Sequence, residues 1–370
     1  MYDFTINGTR MSFDLNTLSL YAQGNIYDLD VPARYQNGRI YFKLTNSCNL
    51  SCEYCFQRND VKSDCKPVDI NKYEMALHKC FQNKNMDFYL FGGEPFLENQ
   101  YNNVFFLFSN SNASFFAFTN GCYSARYREL IRQFRDRLTI IVTLDGPKEV
   151  HNKRRRKGEA GSFDIIVSNM DYLESIHANW ICQINIDDNN YSEIDELFSF
   201  LDSRYSINNI NTILNPVLHC ATSRMDLKLL EKYVALDSVY HLEKCVVNCK
   251  TARKLTLLLS GQGVDIRRCD IENTYVVDFE KKVVYCCPQN SNSIVGTVET
   301  TGLCIDQSAC SQMFARNQKK YEPCNKCEFN QICGRGCFLD ENNFDICKHE
   351  VNETIQYFFN HVECFLHMSS

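Results

Sequence analysis

The sequence of 370 residues lacks the features that would direct it to a membrane or to a nucleic acid. It contains no apolar run of the ~18 residues that a membrane-spanning helix needs. Its first ten residues, MYDFTINGTR, show no basic segment followed by an apolar core, so we predict no targeting signal. The net charge is -6 and the one basic run, KRRRK at 153–157, is short. We therefore expect a cytoplasmic protein that binds neither a membrane nor nucleic acid.

Cysteine, in contrast, is abundant, with 21 residues. Because the cytoplasm is reducing, we expect no disulfide framework, and clustered thiolates in that compartment are typical of zinc or iron–sulfur sites. Eleven of the 21 cysteines lie from residue 269 to the C-terminus. Cysteines that served only as small core residues would be scattered along the chain. The concentration predicts a metal-binding C-terminal region.

Apolar strands alternate with helical patterns from residue 40 onward. Six strand segments, from IYFKLT at 40–45 to INTILNP at 210–216, alternate with helices predicted near 69–84, 98–108, 124–136, 162–176, 191–203 and 225–243. This alternation predicts an α/β fold with parallel strands, and six units favour an open partial barrel over a complete eight-fold one. Ligands of such folds bind at the carboxyl ends of the strands, where this chain has LTNSC, LFGGEP, FTNG and TLDGP.

The alternation ends near residue 245, beyond which the chain has cysteine-rich loops and one predicted hairpin, TYVVDF followed by KKVVYC. We predict four segments: a short N-terminal β extension at 1–39, a partial (βα)6 barrel at 40–244, a cysteine-rich domain at 245–350 and a C-terminal helix at 351–370.

The loop after the first barrel strand has three cysteines in the spacing C-x3-C-x2-C: Cys48, Cys52 and Cys55. A structural zinc site would need a nearby fourth ligand, for which the candidates are Cys65, Asp60 and Asp64. An iron–sulfur cluster explains three thiolates without a fourth. Three of its four irons are held by thiolates, and the open iron binds a substrate or cofactor.

The segment CNLSCEYCF resembles the signature of the radical S-adenosylmethionine (SAM) enzymes, in which the residue before the last cysteine is typically aromatic, here Tyr54. The resemblance implies a partial (βα)6 barrel and a 4Fe-4S cluster whose open iron binds SAM. It implies a 5'-deoxyadenosyl radical that abstracts a hydrogen atom from the substrate. It also implies an electron donor such as flavodoxin or ferredoxin.

The other strand ends are similar to the same family. GGEP implies contacts to the methionine end of SAM, with Glu94 accepting from the ammonium group and the glycines allowing close backbone approach. HNKRRR falls where relatives often carry an arginine for the SAM carboxylate; Arg155 is the first candidate and Arg154 the second. The resemblance thus implies a cofactor site of Tyr54, Gly92, Gly93, Glu94, Pro95, Thr119, Asn120, Thr143, Asp145 and Arg155.

The C-terminal segment CNKCEFNQICGRGC, at 324–337, has the spacing C-x2-C-x5-C-x3-C and is followed by Cys347. By itself it would suit a zinc ribbon. Downstream of a radical SAM core it resembles the SPASM domain, which implies up to two auxiliary 4Fe-4S clusters. The implied distal ligands are Cys324, Cys327, Cys333 and Cys347. The implied proximal ligands are Cys269, Cys337 and either Cys286 or Cys287, of which we favour Cys287. The fourth proximal ligand stays open, with Cys249 and Cys245 as candidates.

The resemblance to SPASM proteins implies an enzyme that acts on a peptide or protein. We predict a maturase that modifies a ribosomally made precursor peptide, for example by forming a thioether, with the N-terminal strands helping to hold the leader peptide. The alternative is an anaerobic sulfatase-maturating enzyme, which oxidises Cys or Ser to formylglycine. Those enzymes tend to carry an Asp directly after the hairpin cysteine, whereas Cys286 is followed by Cys287, Pro288 and Gln289.

A third hypothesis is a non-catalytic iron–sulfur or zinc scaffold, and the intact GGEP and three-cysteine loop argue against it. The sequence identifies no catalytic acid or base.

Overall fold

The computed structural model describes residues 1–23, 25–28, 37–58, 66–158, 161–217, 223–261, 273–320, 324, 326–330, 332–333 and 344–366. Its strands are β1 (Tyr2–Ile6), β2 (Thr9–Asp14), β3 (Ser19–Ala22), β4 (Asn25–Asp28), β5 (Gly38–Lys43), β6 (Ser51–Cys52), β7 (Met86–Phe91), β8 (Phe115–Thr119), β9 (Leu138–Thr143), β10 (Arg155–Arg156), β11 (Asn179–Ile186), β12 (Asn211–Pro216), β13 (Cys245–Val247), β14 (Thr274–Asp278), β15 (Val283–Tyr285), β16 (Ile294–Glu299) and β17 (Gly302–Ile305).

The helices are α1 (Glu74–Phe81), α2 (Tyr101–Ser109), α3 (Ala125–Phe134), α4 (Lys148–Arg154), α5 (Phe163–Ser175), α6 (Ile194–Tyr205), α7 (Ser223–Tyr240), α8 (Lys250–Leu259), α9 (Gln307–Lys320), α10 (Phe344–Asn360) and α11 (Val362–Leu366). The six predicted barrel strands are confirmed as β5, β7, β8, β9, β11 and β12. The six predicted helices are confirmed as well. Within the described residues, no helix is both long enough and apolar enough to cross a bilayer.

The chain forms two compact units. The barrel unit comprises Asn37–Ile184 and Asp270–Ala315, and the tail unit comprises Met1–Gln36, Asn185–Cys269 and Arg316–Ser370. This division differs from the predicted boundaries at 39, 244 and 350. The reason is long-range strand pairing, which is clearest for the predicted hairpin.

Parallel strands form the core of the barrel unit, in the order β11, β9, β8, β7, β5 and β14. One row of side chains crosses the sheet in register: Phe42 opposite Leu90, Leu90 opposite Ala117, and Ala117 opposite Ile140. All four are 0% exposed. Their burial fixes the strand register, because a slip of one residue would turn this row to the opposite face. The strand ends that carry the motifs therefore meet at one edge.

The predicted hairpin is confirmed as β14 and β15, but its place in the sheet was not predicted. β14 runs parallel to β5, with Asp278 opposite Lys43, and β15, β16 and β17 continue the sheet by antiparallel pairing. The Lys43 ammonium lies 3.4 Å from the Asp278 carboxylate, and both side chains are buried. The hairpin thus extends the barrel sheet beside its first strand, and its turn lies at the same edge as the cysteine loop.

In the tail unit, β1 to β4 form an antiparallel meander that packs on the C-terminal helix. The rings of Phe4 and Phe13 lie 4.9 and 5.4 Å from the ring of Phe359 in α10. The Tyr2 hydroxyl donates to Asn352 Oδ1 at 2.8 Å. Helix α10 begins at Phe344, seven residues before the predicted start at 351, so it includes Cys347.

Candidate cluster and cofactor site

The cysteine loop after β5 is fastened to the segment that follows α4. Strand β6 pairs antiparallel with β10, which places Cys52 directly opposite Arg155. The backbone N–H of Glu53 donates to the carbonyl of Arg154 at 3.0 Å. Two residues of the basic run are therefore buried, Arg154 at 2% and Arg155 at 6% exposure, while Lys153 and Arg156 are exposed.

The three loop thiols are half-buried. Burial, reinforced by the Glu94 carboxylate, raises the pKa of Cys48 to about 12. Burial also raises the pKa of Cys52, although the Arg155 charge opposes the shift. Donors already point at Cys48 Sγ, from the Leu50 N–H at 3.4 Å and from Asn120 Nδ2 at 3.6 Å. Thiols in such a setting become thiolates when a metal binds.

Cys48 and Cys52, and likewise Cys52 and Cys55, lie within electrostatic reach of each other. Among the described residues, no three His, Cys, Asp or Glu side chains already converge as metal ligands. The three thiols of the loop thus lie close together, but they do not yet point at a common metal position. Three thiols and N–H donors to one of them fit a 4Fe-4S cluster with one open iron. The alternative zinc ligands, Cys65, Asp60 and Asp64, lie outside the described residues.

The GGEP turn packs against the chain that leads into the cysteine loop. A Cβ atom at Gly93 would lie 1.9 Å from the carbonyl oxygen of Ser47, and one at Gly92 would lie 2.5 Å from that of Thr45. The Gly93 N–H donates to Thr45 O at 2.9 Å. We expected the glycines to admit the cofactor. Their described contacts show another physical reason for glycine here, which is close approach of two backbone segments.

Glu94 joins the ends of two neighbouring strands. Its Oε1 accepts from the Phe96 N–H and the Thr119 hydroxyl, both at 2.8 Å, and its Oε2 accepts from the Asn120 N–H at 2.7 Å. Burial raises the pKa of Glu94 to about 7, and these hydrogen bonds oppose that rise. A carboxylate has about four acceptor positions, so one position is left for a further donor such as an ammonium group.

Tyr54, Asp145 and Arg155 meet beside the loop. The Tyr54 hydroxyl donates to Asp145 Oδ2 and accepts from Arg155 Nη1 at 2.6 Å. Arg155 Nη1 also lies 3.9 Å from Asp145 Oδ2. Among the described residues, the buried Nε of Arg155 has no hydrogen-bond partner. A buried guanidinium with a spare N–H next to Cys52 is suited to a carboxylate ligand, and SAM carries one.

The second candidate, Arg154, is directed elsewhere. Its guanidinium carbon lies 5.0 Å from the centre of the Tyr54 ring, and its Nη1 lies 3.6 Å from Glu53 Oε1. Of the other predicted site residues, Pro95 is buried in the turn that follows β7, and Thr143 is buried at the end of β9, in register with Gln183.

Sequence reasoning missed several residues at this edge. The N–H and Nδ2 of Asn46 donate to Glu280 Oε2 at 3.1 and 2.7 Å, which ties the turn of the β14–β15 hairpin to the cysteine loop. These partners are 234 positions apart, so no local pattern indicates them. His151 and Ser162 were also missed. The sequence does carry a signal that places His151 near the site. His151 lies four residues before Arg155 in a helical segment, and residues four apart in a helix lie on the same side.

The distal-cluster candidates Cys324, Cys327, Cys333 and Cys347 are half-buried in the tail unit. A hydrogen bond with Cys333 lowers the pKa of the Cys347 thiol, against the effect of burial and of the charges of Cys324 and Cys327. Cys347 thus contacts Cys333 and lies within electrostatic reach of Cys324 and Cys327. Phe329 and Ile332, between them in sequence, are 5% and 0% exposed.

The proximal candidates are only partly described. Cys269 and Cys337 lie outside the described residues. Cys286 and Cys287 are both buried directly after β15, so burial does not decide between them. Cys245 and Cys249 are buried in the tail unit, where burial raises the pKa of each thiol.

Comparison with known proteins agrees with this chemistry. A family described as "4Fe-4S single cluster domain" matches residues 37–166, which contain the three-cysteine loop and Arg155. An uncharacterized protein of Archaeoglobus fulgidus is 21% identical over 323 residues, covering 80% of this chain and 73% of that protein. The antilisterial bacteriocin subtilosin biosynthesis protein AlbA of Bacillus subtilis is 26% identical over 124 residues, 33% of this chain and 27% of that protein.

Two of the similar solved structures illustrate the shared fold. One is anSMEcpe with bound AdoMet and the Cp18Cys peptide, with a TM-score of 0.66 and 15% identity, covering 87% of this chain and 96% of that chain. The other is Streptococcus suis SuiB bound to precursor peptide SuiA, with a TM-score of 0.62 and 15% identity, covering 84% of this chain and 73% of that chain. The predicted α/β fold is confirmed. The chain thus shares the fold of these two structures, and its residues 37–166, which include the three-cysteine loop, match a 4Fe-4S cluster family.

Proposed function

We propose that the chain is a peptide maturase that modifies a ribosomally made precursor peptide, forming a thioether or another cross-link. The observation that carries the proposal is the site at the carboxyl edge of the barrel strands, with Arg155 opposite Cys52 and no carboxylate directly after the hairpin cysteines. AlbA is named for bacteriocin biosynthesis, and SuiB was solved with its precursor peptide. These relatives support a substrate of the same class.

A 4Fe-4S cluster held by the loop cysteines and SAM, the cofactors of a radical SAM enzyme, would supply the chemistry that removes a hydrogen atom from the substrate. The roles that we assign to the chain are binding and orientation. Arg155 pairs with the SAM carboxylate, held by Tyr54 and Asp145, and Glu94 accepts from the SAM ammonium group with its remaining acceptor position. Cys48, Cys52 and Cys55 hold the cluster.

We assign the distal auxiliary cluster to Cys324, Cys327, Cys333 and Cys347. The hydrogen bond between Cys347 and Cys333, and the electrostatic influence of Cys324 and Cys327 on Cys347, support the assignment. The proximal cluster is assigned to Cys269, Cys287 and Cys337. Either cluster would accept an electron from the substrate radical. A low-potential donor such as flavodoxin or ferredoxin would reduce the SAM cluster in the cytoplasm.

The N-terminal meander is our candidate for holding the leader of the precursor peptide. Strand β4 forms one edge of the meander, and its Ile26 is 62% exposed. An open cavity of about 500 Å³ on the meander is lined by residues that include Arg10, Ser12 and Tyr21. An extended peptide can add to such an edge through main-chain hydrogen bonds.

The sulfatase-maturase alternative is favoured by one observation, the match to anSMEcpe over 96% of that chain. Both activities are tested together in anaerobically reconstituted enzyme with SAM and dithionite. One substrate is the Cp18Cys peptide, and the others are short peptides encoded next to the gene. A thioether replaces an S–H and a C–H bond by an S–C bond, so mass spectrometry should show the loss of two hydrogens from an encoded peptide. An aldehyde on Cp18Cys, with the encoded peptides unchanged, would instead support formylglycine formation.

A further inference from the structure

Two buried polar side chains next to the cofactor site have no role in the account above. His151 lies in α4, one helical turn before Arg155, and is 0% exposed. Ser162 lies directly before α5 and is 1% exposed. Burying polar groups is costly unless they are hydrogen-bonded, so their partners show what they hold.

These two residues form a continuous chain of hydrogen bonds from the Asp145 backbone to the Arg155 backbone. The backbone N–H of Asp145 donates to His151 Nδ1 at 3.1 Å. A neutral imidazole has one protonated nitrogen, so the proton is on Nε2, which donates to Ser162 Oγ at 3.1 Å. The Ser162 hydroxyl then donates to the carbonyl of Arg155 at 2.7 Å. Burial, and then the charges of Arg155 and Arg154, lower the pKa of His151 well below its usual value, so the ring stays neutral.

This chain of hydrogen bonds closes a ring around the site. It joins the main chains of Asp145 and Arg155, whose side chains are joined separately through the Tyr54 hydroxyl. Arg155 is thus held at both ends. Its backbone is also paired with Cys52 across the β6–β10 ladder.

Ser162 itself is held in place. Asn152 Oδ1 accepts from the N–H groups of Ser162 and Phe163 at 2.8 and 2.9 Å. Gly161 has φ +70°, and a Cβ atom there would lie 2.6 Å from the Asn152 side chain. The loop before α5 is therefore clamped to α4, and the Ser162 hydroxyl has a fixed position from which to act on Arg155.

We propose that His151 and Ser162 are positioning residues that direct the Arg155 guanidinium toward the carboxylate of SAM beside Cys52. They act through the Arg155 carbonyl and the Asp145 amide and do not touch the cofactor. The inference rests on the proposed role of Arg155, whose Nε has no hydrogen-bond partner among the described residues.

The test compares Ser162→Ala with Ser124→Ala in the full-length, anaerobically reconstituted enzyme. Ser124 is a matched control, because its buried Oγ has no hydrogen-bond partner within the described part of the chain. Equilibrium dialysis with labelled SAM gives Kd, and EPR of the reduced cluster with and without SAM reports its coordination. Iron per chain and Tm report the fold. Ser162→Ala removes one oxygen atom and is the milder disruption of these hydrogen bonds. His151→Phe removes both hydrogen bonds of the ring and is the second, more disruptive variant.

We expect Ser162→Ala to weaken SAM binding about tenfold, the scale of one lost buried hydrogen bond, and to alter the SAM-induced EPR change. Iron content and Tm should match those of Ser124→Ala, and Ser162→Thr should restore part of the affinity. A normal Kd in Ser162→Ala, while Arg155→Ala binds weakly, would overturn the relay and leave the role of Arg155 intact. A normal Kd in Arg155→Ala would overturn both. Parallel loss of iron and Tm in Ser162→Ala would show a merely structural role.

Discussion

The cysteines of the loop after β5 and those of the C-terminal segment are positioned by different means. In the loop, Cys52 is paired with Arg155 in a two-stranded ladder, and the GGEP turn packs against the residues before Cys48. In the C-terminal segment, the contact between Cys347 and Cys333 is between two thiols. In the loop, backbone pairing sets the positions of the cysteines. In the C-terminal segment, the contact is between the candidate metal ligands themselves.

The difference indicates how each site depends on metal. A loop shaped by its surroundings should keep its conformation when its ligands are removed. Thiols that contact one another depend on a cluster to hold them, because metal binding and local folding are coupled in such segments. Loss of the first cluster should therefore abolish chemistry and spare the fold, while loss of the distal cluster should loosen the C-terminal segment.

The largest expected effect is that of replacing Cys48, Cys52 and Cys55 together with Ala. Cleavage of SAM to 5'-deoxyadenosine should fall to background, a loss of roughly a thousandfold or more, because the cluster whose open iron binds SAM is lost. The Tm should stay within about 3 °C of the parent, as the β6–β10 ladder remains. Liquid chromatography measures the nucleoside. Continued 5'-deoxyadenosine formation would contradict the assignment of this loop.

Cys333→Ala tests the other side of the comparison. We expect SAM cleavage within about threefold of the parent, but loss of modified peptide and faster proteolysis of the C-terminal segment, because the distal cluster is lost. Limited trypsin digestion and mass spectrometry measure both. Cys304→Ala is the control, since Cys304 is exposed. If Cys333→Ala lost SAM cleavage as completely as the triple variant, the two sites would not be separable.

Arg155→Ala should weaken SAM binding by roughly 10- to 100-fold, because a charge-assisted hydrogen bond contributes about 1.5–3 kcal/mol. The neighbouring Arg156 is exposed, so Arg156→Ala should leave the Kd unchanged. Equilibrium dialysis on both variants gives the comparison. Equal weakening by the two substitutions would indicate a general effect of positive charge instead of a specific contact.

The smallest effect concerns acid stability. His151 has a pKa lowered well below its usual value by burial, so below about pH 6.5 the unfolded state binds a proton that the folded state does not. Its contribution lowers the free energy of unfolding by up to about 1.4 kcal/mol for each pH unit below that point. Urea unfolding of the cluster-free protein at pH 7.5, 6.5 and 5.5 measures the slope. His151→Asn should flatten it, and an identical slope would contradict the buried neutral ring.

Local patterns were enough to predict the six strands, their helices and the three-cysteine loop. The alternation of apolar strands and helices is visible within about 15 residues. The loop cysteines and GGEP are likewise contiguous in sequence. The packing reason for glycine at positions 92 and 93 could not be read from local sequence. It depends on how closely the backbone at Thr45 and Ser47 approaches these two positions.

Long-range pairing accounts for what the sequence did not predict. The alternating pattern identified the hairpin, but nothing in it indicates that β14 pairs with β5. The N-terminal strands likewise gave no sign that Phe4 and Phe13 would pack on Phe359. Any buried apolar face would have satisfied those side chains, so the choice of partner is a property of the whole fold.

The most direct test of the central claim is to measure iron, sulfide and zinc per chain after anaerobic reconstitution, beside the variant lacking Cys48, Cys52 and Cys55. The account predicts about 12 irons for three clusters and about 8 in the variant. A fall from about 8 to about 4 would keep the loop cluster and remove one auxiliary cluster from the account. Little iron with stoichiometric zinc, unchanged by the three substitutions, would contradict it.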